Sequence, residues 1–301
     1  GEITVPAKKL LDIVKGFTDS TDVEFHLEGN KALLKSGRGR YSLSTLPASE
    51  YPNLEDWQGE VEFEISQSQL KRLIDSTHFS MAQQDVRYYL NGMLFEVDPG
   101  YLRVVATDGH RLAMETLNMD NNISEPQQLI LPRKGVMEIT RLLDSDGDIL
   151  LTFGQNHLRA EVTEYTFTSK LVDGKFPDYN RVLPKGGNRV VLGDCQLLRQ
   201  AFSRVSILSN EKYRGVRVEL ESGQLKVVAN NPEQEEAEEL VSVDYQGDGL
   251  EIGFNVSYLI DVLTTLSSER VRITLSDPNS SALLEAEEGS DALYVVMPMR
   301  L

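Results

Sequence analysis

Two hydrophobic periods alternate along the chain. Five stretches place apolar residues three and four apart behind a helix-start signal, and each is followed by short runs in which apolar and polar residues alternate. The helical stretches are VPAKKLLDIVKGF from Val5, ISQSQLKRLIDSTHFSM from Ile65, LPRKGVMEITRLLD from Leu131, LGDCQLLRQAFSRVSIL from Leu192 and FNVSYLIDVLTTL from Phe254, at intervals of 60, 66, 61 and 62 residues. Pro6 and Pro132 suit a first helical turn, Asp194 and Asn255 suit N-caps, and Ser66 with Gln69 makes a capping box. Leu198, Ala201, Phe202 and Val205 mark one buried face, as do Val256, Leu259, Ile260 and Leu263. Behind the third helix, DILLTF, HLRAEV and YTFTSKL read as strands broken by turn residues. One unit is thus a helix plus three or four antiparallel strands, and the expected class is α+β.

A longer period lies over the short one. NGMLFEV and VVATDGHRLAMETL, between Asn91 and Leu117, align with RGVRVEL and VVANNPEQEEAEEL, between Arg214 and Leu240, at a displacement of 123 residues. SLSTLPASEYPN from Ser42 resembles FTSKLVDGKFPDYN from Phe167 at a displacement of 125. Units therefore come in pairs of a first and a second type. The pairing predicts one domain over 61–185 and another over 186–301, and it leaves residues 1–60 as a second-type unit alone. Five units where pairs are the rule lead to the expectation that about sixty residues of the pattern are missing before Gly1. PASEYPNLEDWQGE and FPDYNRVLPKGGNR, rich in Pro, Gly, Asn and charge, read as linkers.

Charge changes the picture once it is divided. Thirty Lys and Arg against 47 Asp and Glu give a net charge of -17, which as an average argues against a polyanion binder. The five helical stretches, however, hold ten cations (Lys8, Lys9, Lys15, Lys71, Arg72, Arg133, Lys134, Arg141, Arg199 and Arg204) against six acids, so they carry +4 and the rest carries -21. Helices packed by one face against a sheet present the opposite face outward, and here that face is basic in four units of five. Lys and Arg are also simply good helix formers, which accounts for the bias equally well. The lone Cys195 rules out an internal disulfide and a thiolate zinc site, fits a reducing compartment and reads as a small core residue. No apolar run approaches the roughly 18 residues of a membrane span, and Gly1-Glu2-Ile3 begins no signal peptide, so a soluble, cytoplasmic protein is expected.

No catalytic constellation is legible. Phosphate-loop, dinucleotide, zincin and nucleophile-elbow motifs are all absent, and His26, His78, His110 and His157 fall in different units without metal-ligand spacing. Neither enzyme, metal nor cofactor is expected. Lys35-Ser-Gly-Arg-Gly-Arg40 reads as a hairpin turn and not a phosphate cradle. Thr107-Asp-Gly-His-Arg111 reads as an Asp-Gly turn before it reads as acid-base chemistry, and as a binding loop before either. The apolar ending YVVMPMRL, with Met297, Met299 and Leu301 alternating around Pro298, is equally a core strand or one wall of an adaptable groove.

Longer motifs carry a resemblance. Phe79-Ser-Met-Ala, Asp85-Val-Arg-Tyr-Tyr-Leu-Asn-Gly-Met-Leu, Ala106-Thr-Asp-Gly-His-Arg-Leu-Ala, Phe176-Pro-Asp-Tyr, Leu208-Ser-Asn-Glu-Lys-Tyr-Arg-Gly-Val-Arg, Ala229-Asn-Asn-Pro-Glu-Gln-Glu-Glu-Ala and Val296-Met-Pro-Met-Arg-Leu closely resemble the bacterial β sliding clamps, the processivity subunits of DNA polymerase III. The resemblance implies the DNA clamp fold: a ring of two head-to-tail protomers of three similar domains, helices lining the hole and sheets outside. It implies a homodimer that encircles duplex DNA without reading sequence and tethers polymerase subunits, clamp loader and repair proteins through short linear motifs. The DNA-facing set it implies is Lys8, Lys9, Gln84, Tyr88, Tyr89, Arg133 and Lys134. The implied motif groove comprises Leu90, Thr107, Gly109, His110, Arg111, Leu112, Pro177, Arg181, Val182, Tyr258, Ser281, Val295, Met297, Pro298, Met299 and Arg300, which would make the TDGHR loop and the PMR tail two walls of one pocket. The implied subunit interface sets Arg38, Arg40, Tyr41 and Leu43 against Ile207, Leu208, Glu233 and Glu235. The alternative is a protomer that binds partner motifs without encircling DNA.

Overall fold

The computed structural model describes residues 1–18, 22–51, 57–120, 123 and 125–300. Positions 52–56 of the expected linker and the terminal Leu301 lie outside the described residues. Residues 1–57 and 58–301 form two compact units.

The first unit contains β1 (Ile3–Thr4), α1 (Ala7–Lys15), β2 (Glu24–Glu28), β3 (Lys31–Ser36), β4 (Gly39–Ser44) and β5 (Leu46–Pro47). β2, β3 and β4 form a three-stranded antiparallel sheet, and β1 pairs with β5. Gly37 turns the β3–β4 hairpin at φ +55, a backbone state that suits glycine. Ala32, Leu34 and Leu43 are buried beneath Ile3, Val5, Leu10 and Ile13.

The second unit runs β6 (Val61–Ser66), α2 (Gln67–Asp75), β7 (Gly92–Asp98), β8 (Tyr101–Thr107), β9 (Arg111–Asn118), β10 (Gln127–Pro132), α3 (Arg133–Leu142), β11 (Asp148–Phe153), β12 (His157–Glu161), β13 (Thr166–Lys170), β14 (Arg189–Asp194), α4 (Cys195–Val205), β15 (Gly215–Glu221), β16 (Gln224–Asn230), β17 (Glu236–Ser242), β18 (Leu250–Asn255), α5 (Val256–Thr265), β19 (Arg270–Leu275), β20 (Ala282–Ala286) and β21 (Leu293–Val296). All five predicted helices are present. Asp194 caps α4 by accepting from Leu197 N at 2.8 Å, and Asn255 caps α5 from Ser257 N at 3.0 Å. Ser66 accepts from Gln69 N at 3.4 Å, the first half of the predicted capping box. Pro6 and Pro132 sit at the N-cap, one residue before the helix and not inside its first turn.

The sheets depart from the one-unit, one-sheet expectation. In the second unit the strand that precedes each helix joins the sheet of the mate helix: β6, before α2, pairs with β11, and β10, before α3, pairs with β7. The same exchange joins β18 to β15 and β14 to β19. Two four-stranded sheets result, ordered β13-β12-β11-β6 and β17-β16-β15-β18. An eight-stranded sheet, β10-β7-β8-β9-β21-β20-β19-β14, crosses the boundary expected near residue 185 through the β9–β21 pairing. Its backbone ladder and flanking cores make 58–301 one compact unit.

Two large cores fill this unit. One gathers Leu70, Leu73, Val136, Ile139 and Phe153 from α2, α3 and their sheets. The other gathers Leu198, Phe202, Val205, Val256, Leu259 and Val262 from α4, α5 and theirs. The predicted α4 face is buried throughout, whereas on α5 Ile260 only packs against the core margin and Val262 is buried. Cys195 is buried, its Sγ 4.0 Å from Ser268 Oγ, and burial pushes the thiol pKa up, away from reactivity.

Candidate motif groove and basic helix faces

The TDGHR loop is a built turn. Asp108 Oδ1 accepts from His110 N at 2.8 Å and Arg111 N at 3.0 Å, and Thr107 Oγ1 accepts from Gly109 N while donating to Arg111 O. Gly109 turns at φ +89, where a side chain would be strained. Arg87 braces the loop from outside: Nη2 donates to Asp108 O at 3.0 Å, and the same guanidinium clasps Asp85, whose carboxyl it pulls down to about 2. The Asp108 carboxylate is thus committed to backbone amides and Arg111, and the turn reading accounts for it without acid-base chemistry.

Arg111 is immobilised on every side. Nε donates to Asp108 Oδ2 at 3.1 Å, Nη2 to Phe79 O at 2.8 Å, and Nη1 pairs with Asp261 of α5. Its guanidinium lies 4.5 Å from the Tyr258 ring centroid and 5.3 Å from that of Phe79. Tyr258 is half-buried, with burial raising its hydroxyl pKa. Only 12% of the Arg111 side chain is exposed, so it orders the wall of a groove more than it offers a free cation.

The chain's end lies beside this loop. Val295 faces Leu112 and Val296 faces Arg111 in the β21–β9 register, then Met297 N donates to His110 O at 2.9 Å and Met299 N to Gly253 O at 2.9 Å. In YVVMPMRL, Leu293–Val296 is a strand, as the first of the two open readings has it, and Met297–Arg300 lie beyond its end. Beneath them Leu112, Val295, Phe176 and Tyr179 form a small core with Leu94, Val105, Met114 and Ile130. Pro177, Arg181 and Val182 flank Phe176 and Tyr179 and are exposed, Arg181 reaching Asp178 at 3.0 Å. Met297 is 44% exposed. Pro298, Met299 and Ser281 are half-buried and Arg300 is exposed. Leu90 is buried in the 88–90 turn. A cavity of about 440 Å³ between Phe79, His110, Arg111, Arg133 and Tyr258 adjoins the loop. Sequence reasoning missed the floor residues Phe176, Tyr179 and Leu283 and the Arg111 partners Phe79 and Asp261; the FPDY motif held the only signal for the first two.

The helix faces are basic less uniformly than their counts imply. Among the described residues Lys71 pairs with Asp75 at 3.3 Å, Arg72 with Glu115 at 3.1 Å, Arg141 with Glu138 at 2.9 Å and Arg204 with Glu239 at 2.8 Å. Lys8, Lys9, Arg133 and Lys134, the cations of the DNA-facing set, form no ion pair among the described residues. Lys8, Lys9 and Lys134 are exposed and Arg133 is half-buried. Gln84 is exposed at φ +56, and Tyr88, 58% exposed, stands edge-on to the half-buried Tyr89 at 5.8 Å.

Of the interface set, Arg38 is exposed in the β3–β4 turn, and Arg40 and Tyr41 are exposed on β4, an edge of the three-stranded sheet. Leu43 is turned into the first unit's core at 6% exposure, so β4 offers an interface its backbone there and not its side chain. In the second unit Ile207 is 75% exposed and Leu208 half-buried, beside exposed Glu233 and Glu235. Ile207, Glu233 and Glu235 border a cavity of about 390 Å³ next to β17, itself an edge strand.

Mate-exchanged sheets under paired helices define a protein of the DNA-clamp fold. Family comparison matches the N-terminal domain of the DNA polymerase III beta subunit over residues 1–55, the central domain over 64–178 and the C-terminal domain over 180–300. The chain belongs to this family, the beta sliding clamps. It is 59% identical to the beta sliding clamp of Pseudomonas aeruginosa and 54% identical to that of Escherichia coli K12, in each case over 100% of this chain and 82% of the relative. A crystal structure of the P. aeruginosa DNA polymerase sliding clamp with ligand superposes with a TM-score of 0.96, covering 100% of this chain and 82% of that one. A sliding clamp from Bartonella birtlesii bound to griselimycin superposes at 0.94 with 39% identity, covering 99% and 82%. No helix among the described residues is long and apolar enough to cross a membrane.

Proposed function

We propose that the chain is a processivity clamp: a homodimeric ring that encircles duplex DNA and tethers the replicative polymerase, clamp loader and repair proteins by their short linear motifs. It holds other molecules and transforms none. The observation that carries the reading is the junction of loop and tail, where Met297 N bonds His110 O above the Leu112–Val295 pair and leaves Met297 exposed over an apolar floor. An exposed, flexible Met beside a fixed apolar floor suits short motifs with apolar side chains. Lys8, Lys9, Arg133 and Lys134, which form no ion pair among the described residues, supply sequence-independent phosphate attraction, and a clamp needs no more than weak attraction because closure, not affinity, retains it. Edges β4 and β17 would form the subunit contact, basic Arg38 and Arg40 meeting acidic Glu233 and Glu235.

In this reading residues 1–60 are the second half of a first clamp domain, 61–185 the second domain and 186–301 the third. Supporting the first assignment, α1 buries no side chain fully and its Leu11 and Val14 are 52% and 44% exposed. That same exposure favours a second reading, a protomer that binds motifs without closing. Retention on nicked circular DNA and loss after linearisation is the expected result, and equal behaviour on both sinks the encircling claim. Deleting residues 297–301 abolishes motif-peptide binding if the groove is correctly placed; unchanged affinity refutes it.

A further inference from the structure

Glu115 lies on the helix-facing side of β9 and is 2% exposed. One of its oxygens is 3.1 Å from Arg72 Nε of α2, while Oε2 is buried without a hydrogen-bond partner among the described residues. The Arg72 side chain is 57% exposed and stands at the rim of a cavity of about 600 Å³ together with Lys71, Asp75 and Asp144. Arg72 thus joins a solvent-facing helix surface to a buried anion.

The other paired helix cations differ in this respect. The acids of Lys71–Asp75, Arg141–Glu138 and Arg204–Glu239 are 48%, 45% and 28% exposed. Exposed pairs exchange partners at almost no cost, because water replaces what the partner supplied. Glu115 has no such replacement: withdrawing Arg72 leaves a desolvated carboxylate without an ionic partner, a far larger penalty than an exposed cation recovers from a phosphate in water.

We propose that Arg72 is held off DNA by Glu115, so that this position of the basic helix surface is masked while the exposed Lys134, which forms no ion pair among the described residues, is not. The proposal rests on the DNA reading above. Arg133 and Lys71 both act on the charge of His78, so Lys71, the residue before Arg72 on α2, is within electrostatic reach of the same imidazole as Arg133. Arg72 leaves only when Glu115 takes up a proton. Burial favours that protonation, raising the carboxyl pKa with help from Asp291, while Ser76 and Arg72 oppose it; Tyr294 is the remaining titratable neighbour. A clamp gains from the mask, since each added phosphate contact raises the friction of sliding.

The test is the salt dependence of binding to a short duplex. Glu115→Gln removes the anion at constant shape and frees Arg72, so the slope of log affinity against log salt steepens by about 0.9, and adding Arg72→Gln restores the original slope. An unchanged slope in a folded Glu115→Gln variant overturns the mask. If Lys134→Gln also leaves the wild-type slope unchanged, the DNA reading falls with it; if Lys134→Gln flattens it, only the mask falls. On the unmodified protein, phenylglyoxal footprinting is expected to show Arg133 protected by duplex and Arg72 not, and protection of Arg72 overturns the proposal without any variant.

Discussion

α1 and α3 are each followed by three antiparallel strands, yet the two sheets are finished differently. β11, the first strand after α3, is covered on its open edge by β6, a strand donated from before α2. β2 is the counterpart after α1; it is an edge strand, and all five of its residues are exposed, Phe25 and Leu27 at 47% and 51%. α3 buries Gly135, Val136 and Ile139, whereas α1 buries nothing fully. In the second unit the sheets after α3 and α4 each take a fourth strand from before the other helix of the pair.

Core truncation breaks the comparison hardest. Phe202→Ala, at 2% exposure in the second unit, is expected to cost about 3–5 kcal/mol and lower the main melting transition. Leu34→Ala in the first unit removes one of three buried cluster residues and should erase amide protection within 1–57 while leaving that transition in place; a shared drop would show that the units melt as one. Next is the cap contrast. Asp194→Ala should cost about 1 kcal/mol of stability, measured by denaturant unfolding, whereas α1 has no side-chain cap, so Pro6→Asp should raise its helicity and protection.

Acid should act on the second unit through His78. Burial holds its pKa below the ordinary 6.5, Arg133 and Lys71 adding to the effect and Asp75 opposing it. The unfolded chain therefore binds a proton that the folded state refuses, and stability falls as pH drops below 6.5. A His78→Gln variant should flatten that part of the profile, and an unchanged profile would assign the loss to other groups. Smallest of all is Lys71→Ala: its partner lies one turn away and both side chains are over a third exposed, so a stability change below about 0.5 kcal/mol is expected.

Much of this was legible in the chain. Asp194 and Asn255 announced their helices because a side-chain cap acts on amides two or three residues on, and the α4 face followed from period alone. Other features were not. The burial of Leu43 in the first unit's core and the pairing of Arg111 with Asp261, 150 residues away, left no local mark in the chain, because both depend on packing between distant segments.

Local spacing and self-similarity by themselves determined five helices, the repeat, the pairing of units and the excess of cations on the helices, because each depends on neighbours within a few residues or on comparison of one segment with another. Which strand completes which sheet, how β9 and β21 bring loop and tail together, and which cations remain unpaired were decided only by tertiary structure. Those outcomes depend on groups far apart in the chain competing for the same hydrogen bond, buried space or charge, as Glu115 does when it claims Arg72.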